Sequence, residues 1–167
     1  MEVKLKGKAW KLGDNVNTDL IIAGRYKYDT LNISKLVKHA FEDLDPTLSS
    51  RIKPGDMIVA GRNFGCGSSR EQAPEVIKAL GVSGVIAESI GRIFFRNAVN
   101  IGLAAIECGG ISNIVEDGDE VEIDLERGII RNLMTGKALS FKSWPKIIAE
   151  IFKSGGLINY IKSGGKL

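Results

Sequence analysis

One stretch of the sequence decides the fold: Met57-Ile-Val-Ala-Gly61-Arg-Asn-Phe-Gly65-Cys-Gly67-Ser68-Ser69-Arg70-Glu-Gln72. Its first four residues form a short apolar run, which is typical of a buried β-strand. A glycine-rich loop follows from Gly61 to Ser69, and apolar residues then recur at helical spacing as far as Leu80. The stretch therefore predicts a strand, a loop and a helix over residues 70–80, which is a unit of an α/β domain.

The segments beyond Leu80 repeat this unit. Residues 84–87 and 103–106 predict two more buried strands, and residues 93–99 between them predict a short helix. Strands that alternate with helices in this way indicate a parallel sheet. Residues 120–125 then alternate strictly between polar and apolar side chains, and a turn at Arg127-Gly128 follows. This pattern predicts an antiparallel hairpin with one solvated face.

The two ends of the chain complete the prediction. We expect an opening strand from Val3 to Ala9, a helix that is capped by Ser34 and runs to Leu44, and closing helices at 145–153 and 157–162. A length of 167 residues suits one domain. The sequence therefore predicts a single α/β domain over residues 1–167, with a mixed parallel core and an antiparallel hairpin.

Composition excludes several classes of site. The chain has two cysteines, Cys66 and Cys108, and one histidine, His39. These residues cannot form a four-ligand structural zinc site without carboxylates, and they cannot ligate an iron–sulfur cluster, which usually takes about four thiolates. The net charge is +3 with the signs interspersed, so the composition gives nucleic-acid binding no support. Glycine is the enriched residue, at 20 of 167, and the loop after Ala60 holds several.

The sequence also predicts a location. Met1-Glu2-Val3-Lys4 does not begin a signal peptide, and the apolar runs fall short of the about 18 residues that span a membrane. We therefore expect a cytoplasmic protein, without a membrane segment, whose two thiols are free. Cys66 and Cys108 are expected to be packed as small apolar side chains.

The Gly61–Arg70 loop is the candidate site. Gly65 and Gly67 permit backbone angles that other residues resist, so their amides could converge on an anion, and Arg70 adds a bidentate fork for a carboxylate or phosphate. The alternative is a simple capped helix, because Ser68-x-x-Glu and Ser69-x-x-Gln both match a capping box. The loop matches neither a P-loop nor a G-x-S-x-G nucleophile elbow. His39 is expected to have a packing or solvated role rather than a role as a base.

The loop residues Asn63 to Glu71 closely resemble the signature of the small subunit of 3-isopropylmalate dehydratase, the swivelling domain of the aconitase superfamily. The resemblance continues in order along nearly the whole chain, through residues 14–19, 85–89, 92–103 and 155–161. It implies a β/β/α swivelling-domain fold. It also implies half of an enzyme, because in this family a separate large subunit carries a [4Fe–4S] cluster, whereas this chain would bind no cofactor.

The family reaction that the resemblance implies is the dehydration and rehydration of a small hydroxy di- or tricarboxylic acid. 2-Isopropylmalate is converted to 3-isopropylmalate in leucine biosynthesis. A base must remove a proton beside a carboxylate. By resemblance, Ser68 is that base and Arg70 binds a substrate carboxylate, with Gly65 and Gly67 supplying oriented amides. Ser69 belongs to the same substrate-binding group and is the better capping candidate, and Thr18 and Asp19 match residues that line the family site.

The loop that sets substrate choice in this family departs from its two common patterns. Here it contains Tyr26, Lys27 and Tyr28. Tyr28 could form an apolar wall, while Lys27 could bind a carboxylate or point to solvent. Citramalate, 2,3-dimethylmalate and homocitrate therefore remain alternative substrates. Two alternative functions belong to other classes: a non-catalytic anion-binding or regulatory domain, and a serine hydrolase. The missing nucleophile elbow and the position of His39 count against the hydrolase.

Overall fold

A mixed β-sheet organises the computed structural model, which describes residues 3–26 and 32–167. Within these residues the sheet has seven strands in the order β4-β3-β2-β1-β5-β6-β7. Strands β1 to β4 pair in parallel, and β1, β5, β6 and β7 pair antiparallel. The strand bounds are β1 Lys4–Lys11, β2 Met57–Ala60, β3 Gly84–Ala87, β4 Ala104–Glu107, β5 Glu120–Asp124, β6 Ile129–Asn132 and β7 Ala138–Ser140.

Strand β1 joins two different kinds of sheet. Its first part, Lys4 to Lys8, pairs antiparallel with β5, and its last three residues, Ala9 to Lys11, pair in parallel with β2. We call Ala9–Lys11 with β2, β3 and β4 the parallel half, and Lys4–Lys8 with β5, β6 and β7 the antiparallel half. Gly7 lies at this junction, where a Cβ atom would collide with the carbonyl oxygen of Gly55, so only glycine fits.

Helices cover both faces of the sheet. Their bounds are α1 Thr18–Ile21, α2 Ile33–Leu36, α3 Leu48–Arg51, α4 Gln72–Ala79, α5 Arg92–Ile101, α6 Ile111–Ile114, α7 Lys146–Lys153 and α8 Leu157–Lys162. On one face, Ile58, Val85 and Ala105 pack into a core with residues of α4 and α5. On the other face, Met57 and Ile86 share a second core with residues of β5 and β6. Alternate residues of each buried strand thus serve opposite cores.

Most of the predicted elements are confirmed. The strands after the turn at residues 53–56, the helix between β3 and β4, the opening strand and both closing helices lie within a few residues of their predicted positions. The predicted hairpin is present as β5 and β6. It is extended by β7, which the sequence analysis missed, since only three residues, Ala138–Ser140, pair there.

The helix predicted from Ser34 to Leu44 is wrong. Asn32, not Ser34, caps a single turn at Ile33–Leu36, and a 3-10 turn follows at Val37–His39. Phe41 then adopts a left-handed backbone with φ of 60°, and its amide donates to the carbonyl of Ile21. The ring of Phe41 is fully buried. Burial of this aromatic side chain therefore overrides the helical periodicity around it.

Candidate active site

The candidate site lies at the carboxyl end of the parallel half, where ligands bind in open α/β sheets. It is built from two loops, residues 12–19 after β1 and residues 61–71 after β2, which interlock through hydrogen bonds. The amide of Arg62 donates to Asp14 Oδ1 at 2.7 Å, and the amide of Asn15 donates to the carbonyl of Arg62 at 2.7 Å. The amide of Gly65 donates to the carbonyl of Val16, also at 2.7 Å. Each loop therefore fixes the backbone of the other.

Gly65 lets the second loop pack directly on α5. Its φ is +74°, and a Cβ atom there would collide with the ring of Phe94, which is buried. Gly91, just before α5, also lies close to this loop, since a Cβ atom at Gly91 would lie 3.0 Å from the Gly65 carbonyl oxygen and 3.3 Å from the Cys66 Cα. The prediction that the Gly65 amide faces an anion is wrong, because that amide donates to the carbonyl oxygen of Val16. Gly65 instead allows close approach of the backbone to a helix.

The free amides of the loop begin two residues after Gly65, at Gly67. Gly67 has φ of +99°, in the region that favours glycine. Within residues 3–26 and 32–167, the amides of Gly67, Ser68 and Ser69 donate to no protein acceptor. The Ser68 and Ser69 side chains are exposed, and in the same part of the chain neither hydroxyl has a hydrogen bond. The loop therefore presents unpaired donors beside two hydroxyl groups, an arrangement suited to an anion.

Neither serine caps the following helix. Helix α4 begins at Gln72, and its N-cap position is Glu71, which makes no side-chain capping bond. The predicted capping role of Ser69 is therefore wrong, and the predicted helix start at Arg70 is two residues early. The physical reason is that residues 66–70 are committed to the loop: the amide of Thr18 donates to the Cys66 carbonyl at 2.9 Å, and Arg70 turns toward α1.

Thr18 holds the serine loop in place. It is buried, with 3% of its surface exposed, and its Oγ1 donates to the carbonyl oxygen of Ser68 at 2.9 Å. Asn17 precedes it and caps α1, since the Asn17 side chain accepts from the amide of Leu20. Thr18, one of the predicted site residues, is thus brought to Ser68 through the backbone. Sequence reasoning missed Asn17, although an asparagine before a short apolar run is an ordinary N-cap signal.

Asp19 and Arg70 form an ion pair across the two loops. Arg70 Nη2 lies 2.7 Å from Asp19 Oδ1, and Arg70 Nη1 donates to the carbonyl of Ile22 at 3.0 Å. The Arg70 side chain is 14% exposed while that of Asp19 is 61% exposed. Gly24 lies beneath the guanidinium, since a Cβ atom there would be 3.1 Å from Nη2. Arg70 is therefore oriented in advance, and a carboxylate already occupies one side of its fork.

Tyr26 is the described part of the predicted specificity loop; Lys27 and Tyr28 lie outside the described residues. Tyr26 stacks on His39, with ring centroids 3.9 Å apart, and its hydroxyl donates to Glu42. His39 Nδ1 lies 3.3 Å from Glu42 Oε2. The hydrogen bond from Tyr26, with the nearby charges of His39 and Arg25, lowers the pKa of Glu42. His39 therefore has the packing role that the sequence predicts.

The chain's own donors do not suit an iron–sulfur cluster. Within the described ranges, no group of three or more His, Cys, Asp or Glu side chains is placed to hold a metal ion. Cys66 is half-buried in the site loop, whereas Cys108 is buried at the end of β4. Burial, with a contribution from the charge of Glu88, raises the pKa of the Cys108 thiol. Both cysteines are free thiols, as predicted.

Known proteins share this sequence over almost its full length. The aconitase C-terminal domain family matches residues 40–109, which include the whole second loop. A 3-isopropylmalate dehydratase small subunit of Caldicellulosiruptor saccharolyticus is 54% identical over 157 residues, which cover 94% of this chain and 90% of the relative. The chain belongs to the family of 3-isopropylmalate dehydratase small subunits. An isopropylmalate/citramalate isomerase small subunit of Methanocaldococcus jannaschii is 50% identical, over 95% of this chain and 94% of the relative.

A solved structure from the same family confirms the predicted fold class. The crystal structure of 3-isopropylmalate dehydratase from Methanocaldococcus jannaschii superposes with a TM-score of 0.90 at 43% identity, over 96% of this chain and 95% of that one. The fold is therefore the aconitase C-terminal type, with a mixed parallel and antiparallel sheet. None of the described helices has the length and apolar character needed to cross a membrane.

Proposed function

We propose that this chain is the small subunit of a 3-isopropylmalate dehydratase, a hydro-lyase that isomerises 2-isopropylmalate to 3-isopropylmalate in leucine biosynthesis. The proposal is carried by sequence identity: relatives of that name are 54% and 52% identical to this chain over 94% and 96% of its length. The interlocked loops of the parallel half support it, because they place Ser68, Arg70 and Asp19 at one edge of the sheet. We propose that residues 1–167 act as one domain and that the enzyme works in the cytoplasm.

The proposed enzyme includes a second chain. Relatives are named small subunits, and we infer a large-subunit partner that carries the [4Fe–4S] cluster. The donor set described above supports this division, since it suits no cluster. We assign the departure of the substrate hydroxyl to the partner. We assign the removal of the substrate proton and the binding of a substrate carboxylate to residues of this chain.

Ser68 is the proposed catalytic base. The reaction removes a proton from the carbon beside a carboxylate and returns a proton to the neighbouring carbon when water adds the other way round. A serine hydroxyl is a weak base, so its alkoxide needs stabilisation by oriented donors. The unpaired amides of Gly67 and Ser69 and the cation of Arg70 are the groups of this chain that can supply it. Thr18 keeps the Ser68 backbone in position through its carbonyl.

Arg70 is the proposed ligand for a substrate carboxylate. Its guanidinium is held by the Ile22 carbonyl and by Asp19, and Asp19 is the more exposed partner. Because the Asp19 carboxylate is reached by solvent while the Arg70 guanidinium is held from below, a substrate carboxylate can take the place of Asp19 on the open side of the arginine. Asp19 would then be free to take part at the hydroxyl end of the substrate, since by resemblance it lines the family site.

Citramalate is the second candidate substrate, because one relative at 50% identity is named an isopropylmalate/citramalate isomerase. Both acids share the malate skeleton and differ in the alkyl group. We propose that the loop containing Tyr26, Lys27 and Tyr28 sets this preference, with 2,3-dimethylmalate and homocitrate as the remaining alternatives.

The test is a substrate panel on the reconstituted complex. The chain is expressed with a large subunit of a relative, and hydration or dehydration of each acid is followed by the absorbance of the alkene acid. We expect turnover of 2-isopropylmalate only when both chains are present, and no turnover by this chain alone. Full activity of the isolated chain would overturn the proposal. So would a complex that turns over homocitrate and none of the other acids.

A further inference from the structure

A cavity at α5 shares no residue with the candidate active site. It has a volume of about 600 Å³ and opens between the first half of α5, the end of β4 and residues 142–148. This volume falls in the range of small-molecule pockets. The lining includes three cationic and three large apolar side chains: Arg92, Arg96, Lys142, Phe95, Trp144 and Ile148.

Three cations surround this cavity without a carboxylate partner. Arg92 and Arg96 lie one turn apart on α5, so they face the same side of the helix. Lys142 approaches from the segment before α7. In the part of the chain that the structure describes, none of the three has an ion pair or a side-chain hydrogen bond. The one carboxylate in the lining, Glu107, accepts the amide of Ile90 at 2.8 Å.

The lining also has an apolar part, which includes Phe95, Trp144 and Ile148. Trp144 packs edge-on against Phe152 of α7, with ring centroids 5.3 Å apart. Phe95 packs both against the core that contains α4 and α5 and against a small cluster formed by Val99, Ile151 and Tyr160. Ile148 packs against the same small cluster. An apolar wall with converging cations favours a ligand that has an apolar body and an anionic head.

We propose that this cavity binds a small organic anion: a molecule with a phosphate group or two carboxylates at one end and an apolar body at the other. Arg92, Arg96 and Lys142 bind the anionic head, and Phe95, Trp144 and Ile148 contact the body. The site is independent of the reaction proposed above, since no lining residue belongs to the Ser68 or Thr18 loop.

The experiment uses the two tryptophans of the chain as reporters. Trp144 lines the cavity, whereas Trp10 is buried elsewhere and its indole donates to Asp56. In ¹H–¹⁵N spectra of the full chain, the two indole signals are assigned with Trp144→Phe. Phenyl phosphate and phenylsuccinate are titrated as probes for the two head groups, with inorganic phosphate and benzyl alcohol as the anion-only and apolar-only controls. We expect saturable movement of the Trp144 signal with at least one amphipathic probe, and an unmoved Trp10 signal.

The variants Arg92→Gln with Arg96→Gln, and separately Lys142→Gln, test the cation cluster. We expect probe binding to weaken by about tenfold or more in the double variant and less in the lysine variant. Arg131→Gln, on β6 and outside the lining, is the matched control and should bind like the parent chain. The unchanged Trp10 signal shows in each case that the variant is folded.

Three results with the isolated chain would overturn the proposal: probe affinity that is unchanged in the double variant and in Lys142→Gln, equal binding of benzyl alcohol and phenyl phosphate, or no saturable shift of Trp144 with either probe. The titration is repeated in the complex with a large subunit. If the large subunit abolishes probe binding, the cavity is a contact surface between subunits and the ligand site is rejected.

Discussion

The parallel and antiparallel halves of the sheet share a core and differ in their loops. Met57 and Ile86 of the parallel half pack in the same cluster as Val121 and Ile130 of the antiparallel half. The loops at the carboxyl end of the parallel half bond to each other across the chain, whereas the turn between β6 and β7 bonds mainly to itself, through Asn132 and Thr135. The candidate site residues therefore lie where two loops bond to each other, and the shared core does not distinguish the two halves.

The largest difference between the halves should appear in catalysis. Replacing Ser68 by Ala removes the proposed base, and we expect turnover of 2-isopropylmalate by the reconstituted enzyme to fall at least about 10³-fold. Ser140→Ala, on β7 and outside the site, should retain turnover close to that of the parent. Steady-state kinetics of the two variants checks this. A Ser68→Ala enzyme with near-parental turnover would remove the base assignment.

Arg70→Lys should have the next largest effect. Lysine keeps the charge but cannot bind a carboxylate with two parallel hydrogen bonds, so we expect kcat/KM to fall about 100-fold, largely through KM. Arg131→Lys on β6 is the control in the antiparallel half. If both variants lose the same small factor, Arg70 has only a structural role.

Two glycines test the comparison through stability. Gly65 and Gly136 both have positive φ, +74° and +79°, but only Gly65 is crowded, since nothing lies within 4 Å of a Cβ atom at Gly136. We expect Gly65→Ala to lower the free energy of unfolding by about 3 kcal/mol, from strain plus the collision with Phe94. Gly136→Ala should cost about 1 kcal/mol. Urea unfolding of both variants measures the difference, and equal losses would mean that the close packing on α5 has no energetic weight.

The smallest expected effect concerns the two thiols. Cys66 is partly exposed in the site loop, whereas Cys108 is 1% exposed and has a raised pKa. Iodoacetamide should therefore modify Cys66 first, as followed by mass spectrometry. The folded chain holds the Cys108 proton more tightly than the unfolded chain does. The contribution of the protonated thiol to stability is therefore intact below the ordinary thiol pKa, and it is lost as pH rises from that value through the raised pKa of the folded chain. The urea midpoint should fall between about pH 8 and 10, and less so in Cys108→Ser.

The sequence predicts the halves far better than it predicts how their loops meet. The apolar run at β2 and the alternation at β5 are local signals, and both strands are confirmed. The bond from Thr18 to the Ser68 carbonyl joins residues 50 positions apart, and nothing local to either residue signals it. The capping prediction for Ser69 was wrong for the same reason, because long-range bonds hold the loop open before α4 begins.

The resemblance predicts which residues form the site, but it does not predict their hydrogen-bond partners. It placed Asp19 and Arg70 in one site, and the structure adds that they are paired with each other. It does not predict that the Gly65 amide donates to the Val16 carbonyl, which depends on how the two loops meet. It also does not predict that Phe94 lies under Gly65, which depends on how α5 packs.

We propose that the Gly61–Arg70 loop of the parallel half meets the substrate once the large subunit is in place. A structure of the reconstituted enzyme with 2-isopropylmalate bound tests this. We expect a substrate carboxylate on Arg70 in place of Asp19, with Ser68 Oγ within about 3.5 Å of the carbon that loses its proton. Substrate bound with Arg70 still paired to Asp19, and with Ser68 out of reach, would contradict it.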